Sequence, residues 1–78
     1  SRDTRRPFVT IEIYSMLGQK VRTLLDHQPE NKDQYLSFHW DGLTDDGRMA
    51  RNGRYLVKID VSDATGTKTK IKTVVLVK

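Results

Sequence analysis

The sequence predicts an all-β fold, an antiparallel β-sandwich, and three observations predict it. Apolar residues recur with period two, as half-buried strands require, and not at helical spacing. Turn dipeptides punctuate the chain at Asp41-Gly42, Asp46-Gly47 and Asn52-Gly53. No stretch carries the pattern of an amphipathic helix, and short strands at close spacing with turn signals between them are the mark of a sandwich.

Each element follows from its own residues. Phe8 to Tyr14 alternates, with Val9, Ile11 and Ile13 on one face and Thr10, Glu12 and Tyr14 on the other. Leu17-Gly18-Gln19 turns the chain, and Lys20 to Leu25 is the return strand of a hairpin. Val21 and Leu24 have opposite parity in it, which predicts a bulge or an early strand end. Asp26 to Asp33 is polar with a central proline and reads as a loop. Gln34 to Trp40 resumes the alternation with Leu36, Phe38 and Trp40 inward, and Asp41-Gly42 stops it. Arg48-Met49-Ala50-Arg51 reads as a short edge strand. Arg54 to Val61 is the clearest strand, with Tyr55, Val57, Ile59 and Val61 facing in. Ser62 to Thr67 is a turn. The last strand, Lys68 to Lys78, sets Lys68, Lys70 and Lys72 on one face against Ile71, Thr73, Val75 and Val77 on the other. Val74 and Leu76 then break that pattern, so their side needs a cover from this domain, a preceding domain or a partner. The expected core is Ile11, Ile13, Phe38, Trp40, Tyr55, Val57 and Ile59.

The strands fit an immunoglobulin/fibronectin type III-like antiparallel β-sandwich, whose intact form needs about seven strands. Five strong strands and one weak one are legible, so the first lies within Arg2 to Pro7 or outside the chain. Residues 1–7 are read as a linker or edge strand of the single domain 1–78. A chain of 78 residues is one domain at most, and at this size about 60% of the unfolded surface is hidden on folding. With no cysteine there is neither a disulfide staple nor a thiolate metal site, which leaves apolar packing and neighbouring protein as sources of stability. No run reaches the roughly 20 apolar residues of a membrane-spanning helix, which argues against membrane insertion. The net charge of +4 gathers near the ends, at Arg2, Arg5 and Arg6 and at Lys68, Lys70, Lys72 and Lys78. A nucleic-acid binder would pair such a stripe with exposed aromatics for stacking. Here the aromatics occupy core-like positions, so no nucleic-acid partner is expected and the charge reads as a solvated face.

Three stretches resemble the FlgD-type immunoglobulin-like domain, a module named for the flagellar hook-capping protein and found at the C-termini of exported bacterial proteins. Ile11-Glu12-Ile13-Tyr14-Ser15-Met16-Leu17-Gly18-Gln19-Lys20-Val21-Arg22-Thr23-Leu24 is similar to the family's strand, glycine turn and Val-Arg-x-Leu return. Trp40-Asp41-Gly42 with Asp45-Asp46-Gly47, followed by Asn52-Gly53-Arg54-Tyr55, gives the most specific spacing. Val74-Val75-Leu76-Val77-Lys78 resembles the closing strand, and a related terminal pattern occurs in the sorting tails of the type IX secretion system. The chain departs from the family at Asp26 to Gln34, which lacks the small glycine turn such domains often carry. The resemblance implies an extracellular or cell-surface setting and no catalysis.

The candidate sites carry little chemistry. Asp41, Asp45 and Asp46 lie in one glycine-bounded loop, and Ca²⁺ takes several oxygens converging from such a loop. Their spacing is not that of an EF-hand, however, and turn aspartates usually bond their own backbone. A self-bonded turn is therefore expected, with no cofactor and with Ca²⁺ as the alternative. His27, in a polar loop, and His39, on an outer face, have no evident catalytic partner, and Ser15, Ser37 and Ser62 show no triad context. The chain is read as no enzyme, since so small a sandwich has little room for an enclosed pocket. Trp40 suits a core plug better than a sugar-stacking platform, and Tyr14 and Phe8 are the better placed for exposure. Val74, Leu76, Phe8 and Tyr14 are the candidate interaction surface. The function expected is a structural and interaction module of an exported bacterial protein, a spacer, anchor or subunit-docking domain meeting a preceding domain or neighbouring subunits. The alternatives are a carbohydrate-binding accessory domain of a secreted hydrolase and a type IX secretion sorting domain.

Overall fold

The computed structural model describes residues 7–29 and 39–77. Among them four strands form one antiparallel sheet: β1 (Phe8–Ser15), β2 (Lys20–Pro29), β3 (Gly53–Asp63) and β4 (Gly66–Leu76), side by side in the order β2-β1-β3-β4. The all-β class holds, with no helix among the described residues. Of the strand expected over Gln34 to Trp40, residues 34–38 lie outside the described residues, Ser37 and Phe38 among them, as do residues 1–6, and His39 and Trp40 are in no strand; a second layer is not among the described elements.

β1 and β3 sit in the middle because their alternation buries one face. Val9, Ile11, Ile13, Val57 and Ile59 are at most 3% exposed, and Ala50 and Tyr55 complete the core. Ile11 stands opposite Ile59, and Ile13 opposite Val57, in an unbroken register. These cross-strand pairs of β-branched side chains are the unit of sheet stabilisation. Val21, Leu24, Leu25, Trp40, Val61, Val74 and Leu76 pack half-buried around them.

Several sequence expectations change. β2 does not end at Leu25. It continues through Asp26–Pro29, a loop by its sequence, because β1 supplies partners there, Gln28 to Val9 and Pro29 to Phe8. Its bulge expectation holds, with register shifts at three points along the β1–β2 pairing. The 62–67 turn contracts to Ala64 and Thr65: Ser62 and Thr67 are already paired across the β3–β4 hairpin, with their hydroxyls 2.9 Å apart. Asp63 Oδ1 holds this turn by accepting from the Thr65 N–H at 2.8 Å and the Thr65 hydroxyl at 2.6 Å.

The third change concerns β4. Its register sets Val74 opposite Tyr55, Lys72 opposite Val57 and Lys70 opposite Ile59, so the lysines share the side of the sheet that carries the core. Val74 and Leu76 continue that side, and the domain's own core covers them. Ile71 and Val75, at 61% and 63%, are the open apolar side chains of the strand. β4 is the margin of the sheet, so its core-side positions reach past the packed interior and hold lysines without burying charge.

The edge strand expected at 48–51 reduces to a single bridge between Leu43 and Met49. Trp40 lies before this small hairpin and belongs to no strand. It is half-buried rather than fully enclosed, its ring edge-on to Tyr55 at 5.1 Å and 75°. The Tyr55 hydroxyl donates to the Arg51 carbonyl at 2.5 Å. That bond back to the chain just upstream is the arrangement that immunoglobulin-like sandwiches use at a tyrosine corner.

Because Ile11 lies at the centre of the sheet with no exposure, Ile11→Ala is expected to cost about 2–5 kcal/mol and Ile11→Val about 0.5–1.5 kcal/mol in denaturant unfolding. Near-equal small costs for both would place the core elsewhere.

Candidate interaction surfaces

The Asp41–Arg48 loop is built as a cap on β2. Asp41 Oδ1 accepts from the Leu43 N–H at 3.0 Å, bending the chain at Gly42, whose φ of 82° is in the left-handed region that glycine adopts freely. The same oxygen accepts from Arg22 Nη1 at 3.0 Å, and Arg22 also donates to the Leu43 carbonyl at 3.0 Å. Trp40 Nε1 donates to that carbonyl as well, at 2.9 Å. The Trp-Asp-Gly stretch is thereby pinned to β2 through one arginine. Beyond it, the Asp45 N–H donates to the Val21 carbonyl at 3.0 Å and Asp45 Oδ1 accepts from the Thr23 N–H at 2.9 Å. Asp45 thus satisfies backbone groups on the outer edge of β2. Asp46 turns inward on its own loop, bonded by the Thr44 hydroxyl and by the Arg48 N–H at 3.4 Å.

The three candidate carboxylates therefore point at three separate sets of donors. The described residues hold no group of three or more His, Cys, Asp or Glu side chains placed to share a metal ion. The Leu43 N–H above all, and the Arg22 charge after it, hold the Asp41 carboxyl below its ordinary pKa. Asp46 is lowered chiefly by the Thr44 hydroxyl, and Asp63 chiefly by the Thr65 hydroxyl and N–H. His39 is exposed and His27 lies along β2. Ser15 closes the β1–β2 turn, its hydroxyl accepting from the Leu17 and Gln19 N–H groups at 3.3 and 3.2 Å.

The open face of the sheet is the other surface. Tyr14, Leu56 and Thr73 share one row across β1, β3 and β4, and Glu12, Lys58 and Ile71 the next. Tyr14, Gly18, Leu56, Lys58 and Ile71 line a shallow groove there. Tyr14 is half-buried and donates to Glu12 Oε1 at 3.1 Å; burial, and then this bond, push its phenol above the usual value. Glu12 also meets Lys20 at 3.9 Å, and Lys58 meets Asp60 at the same distance. Phe8 lies on this face at the far end of β1, 38% exposed. Of the four residues expected at an interaction surface, Tyr14 and Phe8 are on the open face, and Val74 and Leu76 are on the core side. Ile71 and Val75, on the face opposite the lysines, take their place. The signal for them was the length of the β3–β4 turn, which sets the register and with it the face.

Residues 3–67 match the FlgD Ig-like domain family. The chain belongs to this family. The match contains the strand-turn-return of β1 and β2 and the whole Trp40 to Tyr55 region, and it stops where the β4 lysines begin. No curated protein and no solved structure matches the chain. Membership of the FlgD Ig-like family points to a non-catalytic structural domain.

A carboxyl with a lowered pKa in the folded chain adds stability above its unfolded value near about pH 3.9 and loses it as pH falls through the folded value. Thermal unfolding followed from about pH 5 down to about pH 2 is therefore expected to show a falling midpoint. Asp41→Asn should flatten the fall. A midpoint that rises on acidification would contradict the bonding described for Asp41, Asp46 and Asp63.

Proposed function

We propose that the chain is a non-catalytic docking module of an exported bacterial protein, a spacer or anchor that meets neighbouring subunits or a preceding domain through its open sheet face. Membership of the FlgD Ig-like family supports the structural role. The observation that carries docking is the apolar margin of the sheet: Ile71 and Val75 stand exposed beside the half-buried Leu56 and Tyr14. Contiguous exposed apolar surface rimmed by polar groups marks interaction sites, and Lys58, Glu12 and Arg54 supply that rim. The carbohydrate reading wants a flat exposed ring. Trp40 instead meets Tyr55 edge-on and commits its indole N–H to Leu43.

In the intact protein, Ile71→Ser with Val75→Ser is expected to leave the fold in place, since exposed substitutions usually move stability by no more than about 0.5 kcal/mol. It should release the protein from its cell-surface assembly, read by fractionation and by size-exclusion of the extracted complex. A folded double variant that assembles normally would refute docking through this face, and a cytoplasmic location of the native protein would refute export.

A further inference from the structure

The two margins of the sheet are managed in opposite ways. On β2 the Asp45 cap occupies Val21 and Thr23, register shifts interrupt the pairing to β1, and the strand ends in Pro29. Bulges, proline and covering loops are the devices by which natural sheets prevent an edge from pairing with another chain. Among the described residues β4 has none of them. It runs for 11 residues without proline and pairs with β3 in register throughout, from Gly53 opposite Leu76 to Asp63 opposite Gly66. Among the described residues β3 is its one neighbour in the sheet.

The chemistry along this margin is just as uneven. β4 contains no acidic residue. Lys68, Lys70 and Lys72 project from one side at intervals of about 7 Å, the repeat of every second residue in a strand, and all three are exposed. Lys70 and Lys72 form no ion pair with any described residue, and Lys68 meets only the field of Asp63. Past them the chain turns apolar, with Val75 63% exposed and Val77, just beyond the strand, 77% exposed. Lysines alone would serve as a guard against self-pairing. A guard, however, would be expected where the apolar residues are, and Thr73 to Val77 carry no charge.

We infer that β4 is a strand-addition site for an extended acidic protein segment, one with carboxylates at alternate positions facing Lys68, Lys70 and Lys72 and β-branched residues beside Val75 and Val77. The inference rests on the docking reading above and names the chemistry of its partner. Backbone hydrogen bonds to the open edge supply the pairing, and the lysine ladder sets sign and register. A second copy of this chain is a poor occupant, because its own β4 offers the lysine ladder no carboxylate in any register.

The test is fluorescence anisotropy with a labelled peptide alternating glutamate with valine, added to the 78-residue chain. Binding is expected, weakening as salt screens the ladder, with NMR shifts concentrated on β4. Lys68→Glu, Lys70→Glu and Lys72→Glu together should reduce affinity at least about tenfold. The same triple variant should gain binding to a lysine–valine peptide, which shows that it is folded. A glutamate–valine peptide N-methylated at alternate residues keeps its charge but cannot pair as a strand, and it should fail. Equal binding of the methylated peptide, no binding of the parent peptide, or tighter binding of single-stranded DNA would each overturn the inference. Loss of assembly in the Ile71/Val75 variant with no peptide binding would leave docking standing and remove the acidic strand; the converse result would do the reverse.

Discussion

Every peptide group in a sheet needs a hydrogen-bond partner, and an open four-stranded sheet leaves a row of such groups unpaired along each margin. Among the described residues the demand is met from within on one side. Asp45 reaches β2 from 22 residues away, giving its N–H to Val21 and taking the Thr23 N–H on its carboxylate. The rest of the loop exists to hold it there. Gly42 and Gly47 take positive φ, Asp41 bonds Leu43, and Arg22 ties Asp41 and the Leu43 carbonyl to the strand. The acidic loop, expected from its sequence as a self-bonded turn, also locks a sheet edge.

That lock also fixes the core. With Trp40 turned edge-on to Tyr55 and Tyr55 bonded back to Arg51, the start of β3 is held against the loop. β1 then lies between β2 and β3 with Val9, Ile11 and Ile13 fully enclosed. A domain with no disulfide and few large side chains depends on such closed local arrangements, because its buried area alone is small.

The sequence was most readable where one face is buried. Alternation located β1 and β3 and assigned Ile11, Ile13, Tyr55, Val57 and Ile59 to the interior, because burial of one face is what imposes period two. It was least readable where pairing, not burial, makes the strand. Nothing in Asp26-His27-Gln28-Pro29 favours extension, yet β1 supplies a partner and β2 continues; tertiary context overrides local preference in sheets. The face of β4 was hidden for a different reason. A mixed run such as Lys-Ile-Lys-Thr-Val-Val-Leu fits either orientation, and only the two-residue turn at Ala64 and Thr65 decides which residues look out. The surface was accordingly half legible: Tyr14 and Phe8 follow from parity, Ile71 and Val75 from register, and Arg22 from a contact 19 residues away that no local pattern announces.

The asymmetry of the two margins is the central claim, and amide hydrogen exchange on the free chain measures it most directly. The Thr23 N–H, bonded to a side chain on a strand edge, should be protected to a degree approaching the core amides of β1 and β3. Every second amide of β4, the set directed away from β3, should exchange close to the rate of an unstructured chain while its alternates stay slow. Uniform protection along β4 would mean that the margin is already covered, and rapid exchange at Thr23 would mean that Asp45 does not cap β2. Either result would contradict the account.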